Sequence, residues 1–186
     1  FTVTAHIMYE DELNEGVYSD NGYITQLVAN DVRDGSTTSF YGEDDNNNTD
    51  IIIESNYNGA TSVVRADSSI DDLNTYFTYS HTEYEGTTNG TGTPINSVTV
   101  NDNKVVYMYY SRKGHILTAQ ASPAEQGKVS IDDGTRATVA KARKINGEEC
   151  TVTAHPNTGY EFEGWFDSAN NELSNDLTYK WACLLG

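Results

Sequence analysis

The chain has 186 residues, and its 28 acidic and 11 basic side chains give a formal net charge of −17 at neutral pH. This charge argues against nucleic-acid binding, which needs lysine and arginine at the phosphate backbone, and against docking on an anionic membrane. The sequence has no apolar run near the ~20 residues of a membrane span, so we expect no membrane insertion by this segment.

The first residues predict a β-strand. Residues 1–9 alternate in polarity, and the odd-numbered members share one face: Phe1, Val3, Ala5, Ile7 and Tyr9. Two further strand patterns, at residues 51–53 and 61–65, flank the dipeptide Asn58-Gly59. Asn-Gly between apolar runs is a strong hairpin signal. We therefore predict an antiparallel pair there.

One short helix is predicted, at residues 69–76, with Ser69 as its N-cap and Asp72 as the capping-box partner. After it come two strand patterns, at residues 93–100 and 104–110, which are joined by a tight polar turn. Tyrosine outnumbers phenylalanine 13 to 5. Tyrosine and threonine favour strands, so the composition is typical of an extracellular, mainly β protein.

Charge divides the chain unevenly. Residues 1–112 contain 18 acids and 4 bases, a net of −14, while residues 113–186 contain 10 acids and 7 bases, a net of −3. The step coincides with a short polar segment at 111–114, which lies between two strand patterns. We therefore predict two small β modules in tandem, 1–112 and 113–186, that fold separately.

The C-terminal segment contains a turn and an aromatic run. Residues 157–159 have the Asn and Gly that turns favour. If a strand follows, alternation places Tyr160 and Phe162 in the core and the glutamates between them in solvent, and a bend at Gly164 turns Trp165 inward. The alternative is that Tyr160 and Trp165 form a platform on which a sugar stacks. The core interpretation is favoured, because large aromatic residues dominate the cores of small domains.

Three ordered motifs in this part of the chain resemble the divergent internalin-type B-repeat. They are ILTAQASPAEQGKV at 116–129, CTVTAHP at 150–156 and NTGYEFEGW at 157–165. The resemblance implies a β-grasp-like sheet and a module of Gram-positive surface proteins that forms stalks and binding surfaces rather than active sites. It also implies that the segment ends within a longer array, attached to the cell wall through parts of the protein not present here.

The two ends of the first module resemble mucin-binding-protein-type (MucBP) modules. Residues 3–11 are similar to the opening strand of that family, and residues 105–113 to its closing strand. Residues 16–92 have no clear counterpart. A MucBP-like module followed by a B-repeat is an order common in surface proteins of gut Firmicutes.

Cys150 and Cys183 are the only cysteines. Cys150 has the strand parity of Val152, and Cys183 has that of Trp181, so both are expected to point inward. Two interpretations stay open. The pair forms a disulfide, if the Cα atoms lie within ~7 Å, or the two are small buried thiols. A metal site is not expected, because two cysteines cannot complete a tetrahedral ligand set.

An acidic run suggests calcium, but only in part. Four residues have the odd-position spacing of a Ca²⁺ loop: Asp44, Asn46, Asn48 and Asp50. The sixth and twelfth positions hold Thr49 and Ser55, where such a loop needs Gly and Glu. A solvated acidic loop is therefore the favoured interpretation. We expect neither a metal nor a cofactor.

No pattern in the sequence predicts catalysis. The four histidines lie at positions without metal-ligand spacing, and His81 falls in a segment that reads as a polar loop. No Gly-x-Ser-x-Gly elbow is found. Carboxylates are abundant, but none is set apart in an apolar context, as a glycosidase acid would require. We therefore expect a protein that is not an enzyme.

The sequence thus predicts a non-catalytic, monomeric, extracellular segment of a bacterial cell-surface protein, a stalk and adhesin that binds a host glycan or extracellular protein. The alternatives are an accessory carbohydrate-binding module of a secreted enzyme, or a module that captures a host protein such as an immunoglobulin. Ligand contacts are expected in 1–112, with 113–186 as a spacer, because recognition surfaces usually lie on loops of a β scaffold. The candidates are Tyr18, Tyr23, Tyr41, Tyr57 and Tyr84.

Overall fold

The structure, a computed structural model, describes residues 1–22, 24–66, 71–84, 90–145 and 147–182, without the side chains of residues 71 and 72. It confirms the predicted fold class, since the described elements are β-strands and one short helix. The chain forms two compact units, Phe1–Lys113 (unit 1) and Gly114–Gly186 (unit 2). No helix in the described ranges is long and apolar enough to span a bilayer.

The described elements of unit 1 follow in chain order. They are β1 (Val3–Glu10), β2 (Tyr18–Ser19), β3 (Gln26–Ala29), β4 (Ser36–Glu43), β5 (Thr49–Tyr57), β6 (Ala60–Arg65), α1 (Asp71–Tyr76), β7 (Phe77–Tyr84), β8 (Pro94–Ile95), β9 (Ser97–Val100) and β10 (Lys104–Arg112). They form a sheet in the order β2-β1-β10-β7-β8, with β3 also paired to β1, and a second sheet in the order β6-β5-β4-β9.

The first and last strands of unit 1 are neighbours. β1 and β10 pair in parallel, from Val3 opposite Lys104 to Tyr9 opposite Tyr110. A parallel pair needs a long connection, and here all the other elements of the unit lie between the two strands. β9 belongs to the other sheet. The turn between the strand patterns at 93–100 and 104–110 therefore carries the chain from one sheet to the other.

The core of unit 1 draws on both sheets, as strand parity predicts for β1. Val3, Ala5 and Ile7 are fully buried, whereas Phe1 is 48% exposed and lies before the strand begins. The hydroxyl of Tyr110, on β10, donates to the backbone oxygen of Asp50, on β5, at 2.6 Å. Burial raises the pKa of Tyr110 well above its ordinary value. This residue therefore joins the two sheets by a partly buried hydrogen bond.

Two local predictions for unit 1 have clear outcomes. The hairpin is confirmed: β5 and β6 pair antiparallel around Asn58 and Gly59, whose φ angles of 50° and 82° suit a type I′ turn. The helix is confirmed over Asp71–Tyr76. Its predicted start, with the cap at Ser69, lies outside the described residues.

Unit 2 is built from short strands. In chain order they are β11 (His115–Gln120), β12 (Gly127–Ile131), β13 (Val139–Lys144), β14 (Glu149–Pro156), β15 (Trp165–Phe166), β16 (Glu172–Ser174) and β17 (Thr178–Ala182). The pairs among its described residues are all antiparallel: β11-β13, β12-β14-β17 and β15-β16. The resemblance implied a β-grasp-like sheet, whereas the described residues form three small sheets. Among the described pairs, only β15 and β16 are successive strands joined by a short connection, which favours antiparallel pairing; the other pairs skip at least one strand along the chain.

The apolar faces of these strands form the core of unit 2. Its buried members are Ala119, Val129, Ile131, Cys150 and Val152, with Leu117, Trp165, Tyr179 and Trp181 packed against them. The inward orientation predicted for Cys150 is therefore correct. Cys183 lies outside the described residues, so the disulfide and the paired buried thiols both stay predictions.

The aromatic run after the turn departs from the prediction. Residues 160–164 do not form a strand, and the next strand begins at Trp165. Tyr160 is 46% exposed and Phe162 is half-buried, whereas Trp165 packs on the core. The assignment of Tyr160 to the core was therefore wrong. Its amide donates to the oxygen of Asn157 at 3.0 Å, so the residue still belongs to the turn, where alternation of side chains does not hold.

We expect unit 1 to fold without unit 2. The motive is that residues 1–113 contain a complete two-sheet core. Circular dichroism of residues 1–113 should show a β spectrum and a cooperative thermal transition, with the 186-residue chain as the control. A fragment that gives a disordered spectrum under the same conditions would show that the unit depends on the rest of the chain.

An ion pair joins the turn after β12 to β13 and β14 of unit 2. The Nζ of Lys144 donates to Asp132 at 2.8 Å, and the amide of Thr151 donates to the same carboxylate at 2.9 Å. The Lys144 hydrogen bond, with that of Thr151 second, lowers the pKa of Asp132 from its ordinary 3.8. The folded pKa lies below the unfolded one, so this stabilisation is complete above 3.8 and is lost as the pH falls through the folded value.

Asp132→Asn is therefore expected to destabilise unit 2 near neutral pH by at most about 1 kcal/mol, because water screens a carboxylate whose side chain is 46% exposed. The difference from wild type should disappear in strong acid. Urea unfolding followed by tryptophan fluorescence measures this, since Trp165 and Trp181 both lie in unit 2. The exposed neighbour Asp133→Asn is the control. A difference that persists at low pH would assign the effect to packing.

Candidate binding surfaces

Two of the predicted ligand-binding tyrosines are engaged within unit 1. The hydroxyl of Tyr18 hydrogen-bonds to the hydroxyl of Ser111 at 2.9 Å, and its ring meets that of Tyr109 edge-on, with centroids 5.1 Å apart. Tyr57 lies beneath the guanidinium of Arg33, 5.5 Å from the ring centroid. Both rings are half-buried, so their main contacts are internal ones.

Two others are open to solvent. Tyr41 is 44% exposed on β4, and Tyr84 is 45% exposed on β7, with the Nζ of Lys104 5.9 Å from its ring centroid. Tyr23 lies outside the described residues. Among the described rings, no contact joins any two of these tyrosines. The structure therefore shows no ring contact that joins Tyr18, Tyr41, Tyr57 and Tyr84, and their role in binding stays a prediction.

The acidic run forms a hairpin loop held by one carboxylate. Asp44 accepts the backbone amides of Asn46 at 2.8 Å and Asn48 at 2.9 Å, together with the side-chain amide of Asn48. These hydrogen bonds, led by the amide of Asn48, lower the pKa of Asp44. Asp50 instead faces Arg65 at 3.1 Å. Asp44 and Asp50 are thus bonded to protein donors. Within the described residues, no group of three or more His, Cys, Asp or Glu could hold a metal ion.

Unit 2 contains the same loop. Asp167 accepts the backbone amides of Ala169 and Asn171, both at 2.8 Å, and the side-chain amide of Asn171 at 2.9 Å. Asn170, which precedes Asn171, has a φ of 62°. Asn47, at the same position of the first loop, has a φ of 60°. Both loops read Asp-x-x-Asn-Asn. This local motif accounts for the acidic and amide spacing at 44–48 without a bound ion.

A buried acid–histidine pair in unit 1 was missed by the sequence analysis. His81, which was expected in a loop, lies on β7, and its Nε2 is 3.1 Å from the Oε1 of Glu83, whose side chain is fully buried. The Nδ1 of His81 hydrogen-bonds to the hydroxyl of Ser80 at 2.9 Å, and its ring stacks on Tyr109 at 4.9 Å. A buried carboxylate needs hydrogen-bond partners of this kind. His81 and Glu83 are two positions apart, so they point to the same face of a strand, and this spacing was the signal in the sequence.

Unit 2 contains a cleft of about 1160 Å³. One wall is the continuous run of residues 117–123 and the other is the run 161–168. The floor includes Val152 and Ala154 of β14, with His155 and Pro156 at the end of that strand, and the alternate residues Tyr179 and Trp181 of β17. The cleft thus opens over the apolar face of the unit's sheets. This is the segment that the sequence analysis described as a spacer.

The rim of the cleft is acidic, with one polar end. Glu161 and Glu163 are exposed, and Asp167 lies on the same wall. At the far end, the Nε2 of His155 is 2.9 Å from the hydroxyl of Ser130. Burial, with a smaller contribution from the charge of Arg136, lowers the pKa of His155 below its ordinary 6.5. Near neutral pH this histidine is therefore mainly uncharged, and Lys128 is the basic residue in the lining beside the three acids.

Comparison with known families bears on this unit. Residues 117–180 match the divergent InlB B-repeat domain family. The match spans nearly all the described part of unit 2, which we now call the B-repeat unit, and supports that part of the resemblance. The MucBP resemblance of unit 1 is not supported. No curated protein matched the chain, and no solved structure did.

A B-repeat is a module typical of bacterial surface proteins. Residues 117–180 are therefore similar to such modules, which is consistent with an extracellular location. It covers the segment that contains the cleft and does not reach unit 1.

Proposed function

We propose that the chain is a non-catalytic extracellular segment of a bacterial cell-surface protein, and that it acts as a stalk and as an adhesive surface for a host protein. The observation that carries the proposal is the match of residues 117–180 to the B-repeat family. The acidity of the chain, with its net charge of −17, supports a solvent-facing role, because like charges suppress self-association.

A protein ligand is favoured over a glycan by the exposed apolar residues of the B-repeat unit. Tyr160, Phe166 and Leu173 are 45–48% exposed, and they mix aromatic with aliphatic side chains. Sugar platforms need flat, accessible rings. Trp165 does not offer one, because it meets Phe162 edge-on at 5.5 Å and packs on the core. Apolar patches of mixed composition are typical of protein–protein contact.

A glycan remains the second candidate for unit 1. Tyr41 and Tyr84 present exposed rings there, and such rings can stack on sugars. That ligand would fit an accessory module of a secreted carbohydrate-active enzyme. The two rings lie on β4 and β7, which belong to different sheets.

The test is adhesion by the whole 186-residue chain. Beads coated with it are passed over immobilised extracellular-matrix proteins, immunoglobulin and mucin glycans, and detachment is measured under flow. Beads coated with an unrelated protein of similar net charge are the control. We expect retention on at least one protein surface. Retention equal to that of the control on every surface would rule out the adhesive role, and retention on glycans alone would favour the second candidate.

A further inference from the structure

One wall of the cleft in the B-repeat unit, at 117–123, differs from the floor in the pattern of residues that line it. A cleft that lies over the face of a strand touches alternate residues, because successive side chains point to opposite faces. The floor follows this rule at Tyr179 and Trp181. The wall at 117–123 breaks it, since every residue of that run lines the cleft. Residues 161–164 are not a strand, so the rule does not apply to the opposite wall. The cleft therefore runs along the edge of the 117–123 segment, where its backbone N–H and C=O groups lie.

The edge of β11 is open to pairing. Within the described part of the unit, β11 pairs with β13 alone. The amide of Ala121 donates to the oxygen of Thr138 at 2.8 Å, so the backbone groups of Ala121 and Ala119 face β13. By alternation, the N–H and C=O groups of Thr118 and Gln120 face the other way. An unpaired strand edge is a ready template for another strand.

The opposite wall also has unsatisfied backbone. Glu161, Phe162 and Glu163 make no backbone hydrogen bond to another described residue. Backbone donors and acceptors need hydrogen-bond partners. Glu161 and Glu163 are exposed, so solvent can hydrogen-bond to their backbone groups. A strand placed between the walls would replace this water with hydrogen bonds on both sides.

The floor suits side chains rather than a compact small molecule. Val152, Ala154, Tyr179 and Trp181 are apolar, and the small residues Ala154 on the floor and Ala119 and Ala121 on the wall leave room above them. The volume of the whole cleft, about 1160 Å³, exceeds the roughly 300–1,000 Å³ of ordinary ligand pockets. A long occupant with small apolar side chains at alternate positions fits this shape.

We propose that the cleft accepts an extended segment of a partner protein, which adds a strand to the edge of β11 and rests alternate apolar side chains on the floor. The inference deepens the proposed function, on which it rests, by stating the chemistry of the partner. That segment is basic, because the lining carries Glu161, Glu163 and Asp167 against a single lysine, Lys128. A second copy of this chain is disfavoured, since it carries the same net charge of −17.

The probe is a fluorescein-labelled octapeptide of alternating lysine and valine, titrated with the 186-residue chain and followed by fluorescence anisotropy. A second probe has the same sequence with every other amide N-methylated. The two have equal charge and composition, but the second cannot form a full set of strand hydrogen bonds. Loss of those bonds is expected to weaken binding by about tenfold or more. Equal binding of the two probes would mean that charge attraction alone is measured, and would overturn the inference.

Thr118 gives a matched pair of protein variants. Thr118→Pro removes the backbone N–H that faces the cleft, and it leaves the hydrogen bonds between β11 and β13 in place, since proline is tolerated on an open edge. Thr118→Ala keeps the N–H. We expect Thr118→Pro to bind the unmethylated probe about tenfold more weakly than Thr118→Ala does. The same affinity for both variants, or no binding by wild type up to millimolar concentration, would overturn the inference.

A second pair guards against misfolding of the proline variant. Gln120→Trp adds a bulky side chain to the cleft from its β11 wall at an exposed position, and Ala124→Trp adds the same side chain at an exposed position outside the cleft. Only the first should abolish probe binding. The charge of the wall is tested by comparing probe binding to Glu161→Lys and to Glu149→Lys. Only Glu161 lines the cleft, so only its substitution should weaken binding of the basic probe. If bead adhesion persists while the probe fails to bind, the strand-accepting cleft is wrong and the adhesive function stands.

Discussion

Gly42→Ala is expected to destabilise unit 1 by about 3 kcal/mol, because the new methyl group has no space. A Cβ at this position would lie 1.9 Å from the Cγ of Tyr79 and 2.4 Å from its Cβ. These atoms are at the root of the tyrosine side chain, so rotating the ring does not move them away. Relief of the clash requires a shift of β4 or β7, which belong to different sheets of the unit.

The surroundings of Tyr79 make that shift costly. Its hydroxyl hydrogen-bonds to the hydroxyl of Thr82 at 2.8 Å, and its ring packs on that of Tyr110, with centroids 5.6 Å apart. Tyr110 is in turn bonded to β5. Movement of Tyr79 therefore disturbs a contact network that spans both sheets. Folded interiors are close-packed and have little room to absorb such a change.

Urea unfolding followed by circular dichroism measures the effect, and Gly59→Ala is the control. Gly59 has no atom within 4 Å of its ideal Cβ but has a φ of 82°, so its substitution costs only the backbone strain of about 1 kcal/mol. Both tryptophans lie in unit 2, so the tryptophan fluorescence transition should be unchanged in either variant. A Gly42→Ala protein as stable as Gly59→Ala would show that Tyr79 repacks without cost.

Local patterns in the sequence were sufficient for several strands. Alternation placed Val3, Ala5 and Ile7 on the buried face of β1, and the same rule turned Cys150 inward. These predictions succeed because the side-chain period of a strand is fixed by backbone geometry and needs no knowledge of the partner strand. The Asn-Gly hairpin succeeds for a similar reason, since the turn requires positive φ angles.

Pairing between distant segments could not be predicted in the same way. β1 and β10 are separated by nearly the whole of unit 1, and nothing local in either strand identifies the other as its neighbour. The adjacent patterns at 93–100 and 104–110 enter different sheets despite a tight connection. The choice of partner depends on which faces must be buried together, and this is a property of the whole unit.

The site was harder to predict than the fold. Tyrosine content in unit 1 drew attention to single residues, of which Tyr18 and Tyr57 have mainly internal contacts. The cleft in the B-repeat unit depends on two strand edges and on small side chains such as Ala119 and Ala154. Alanine in a strand carries no signal of an open space above it. The burial of Glu83 could not be predicted either, because an acid in a polar segment is usually exposed to solvent.

The aromatic run at 160–166 is where parity failed, and it gives the second large prediction. Trp165→Ala is expected to destabilise the B-repeat unit by about 3 kcal/mol, in the range for large aromatic residues cut to alanine. Its ring packs on the core, and its Nε1 donates to the backbone oxygen of Asp176 at 3.1 Å. The substitution removes the packing and leaves that oxygen without its donor.

Tyr160→Ala is the matched control, because it lies five positions earlier in the same motif and is 46% exposed. Its substitution should change the unfolding free energy by less than about 0.5 kcal/mol, as is usual for surface positions. Urea unfolding followed by circular dichroism suits both variants, since Trp165→Ala loses one of the two fluorescent reporters. The reverse ranking, with Tyr160→Ala the more damaging change, would restore the strand originally expected at 160–164. It would also remove the open wall at 161–163 on which the strand-accepting cleft depends.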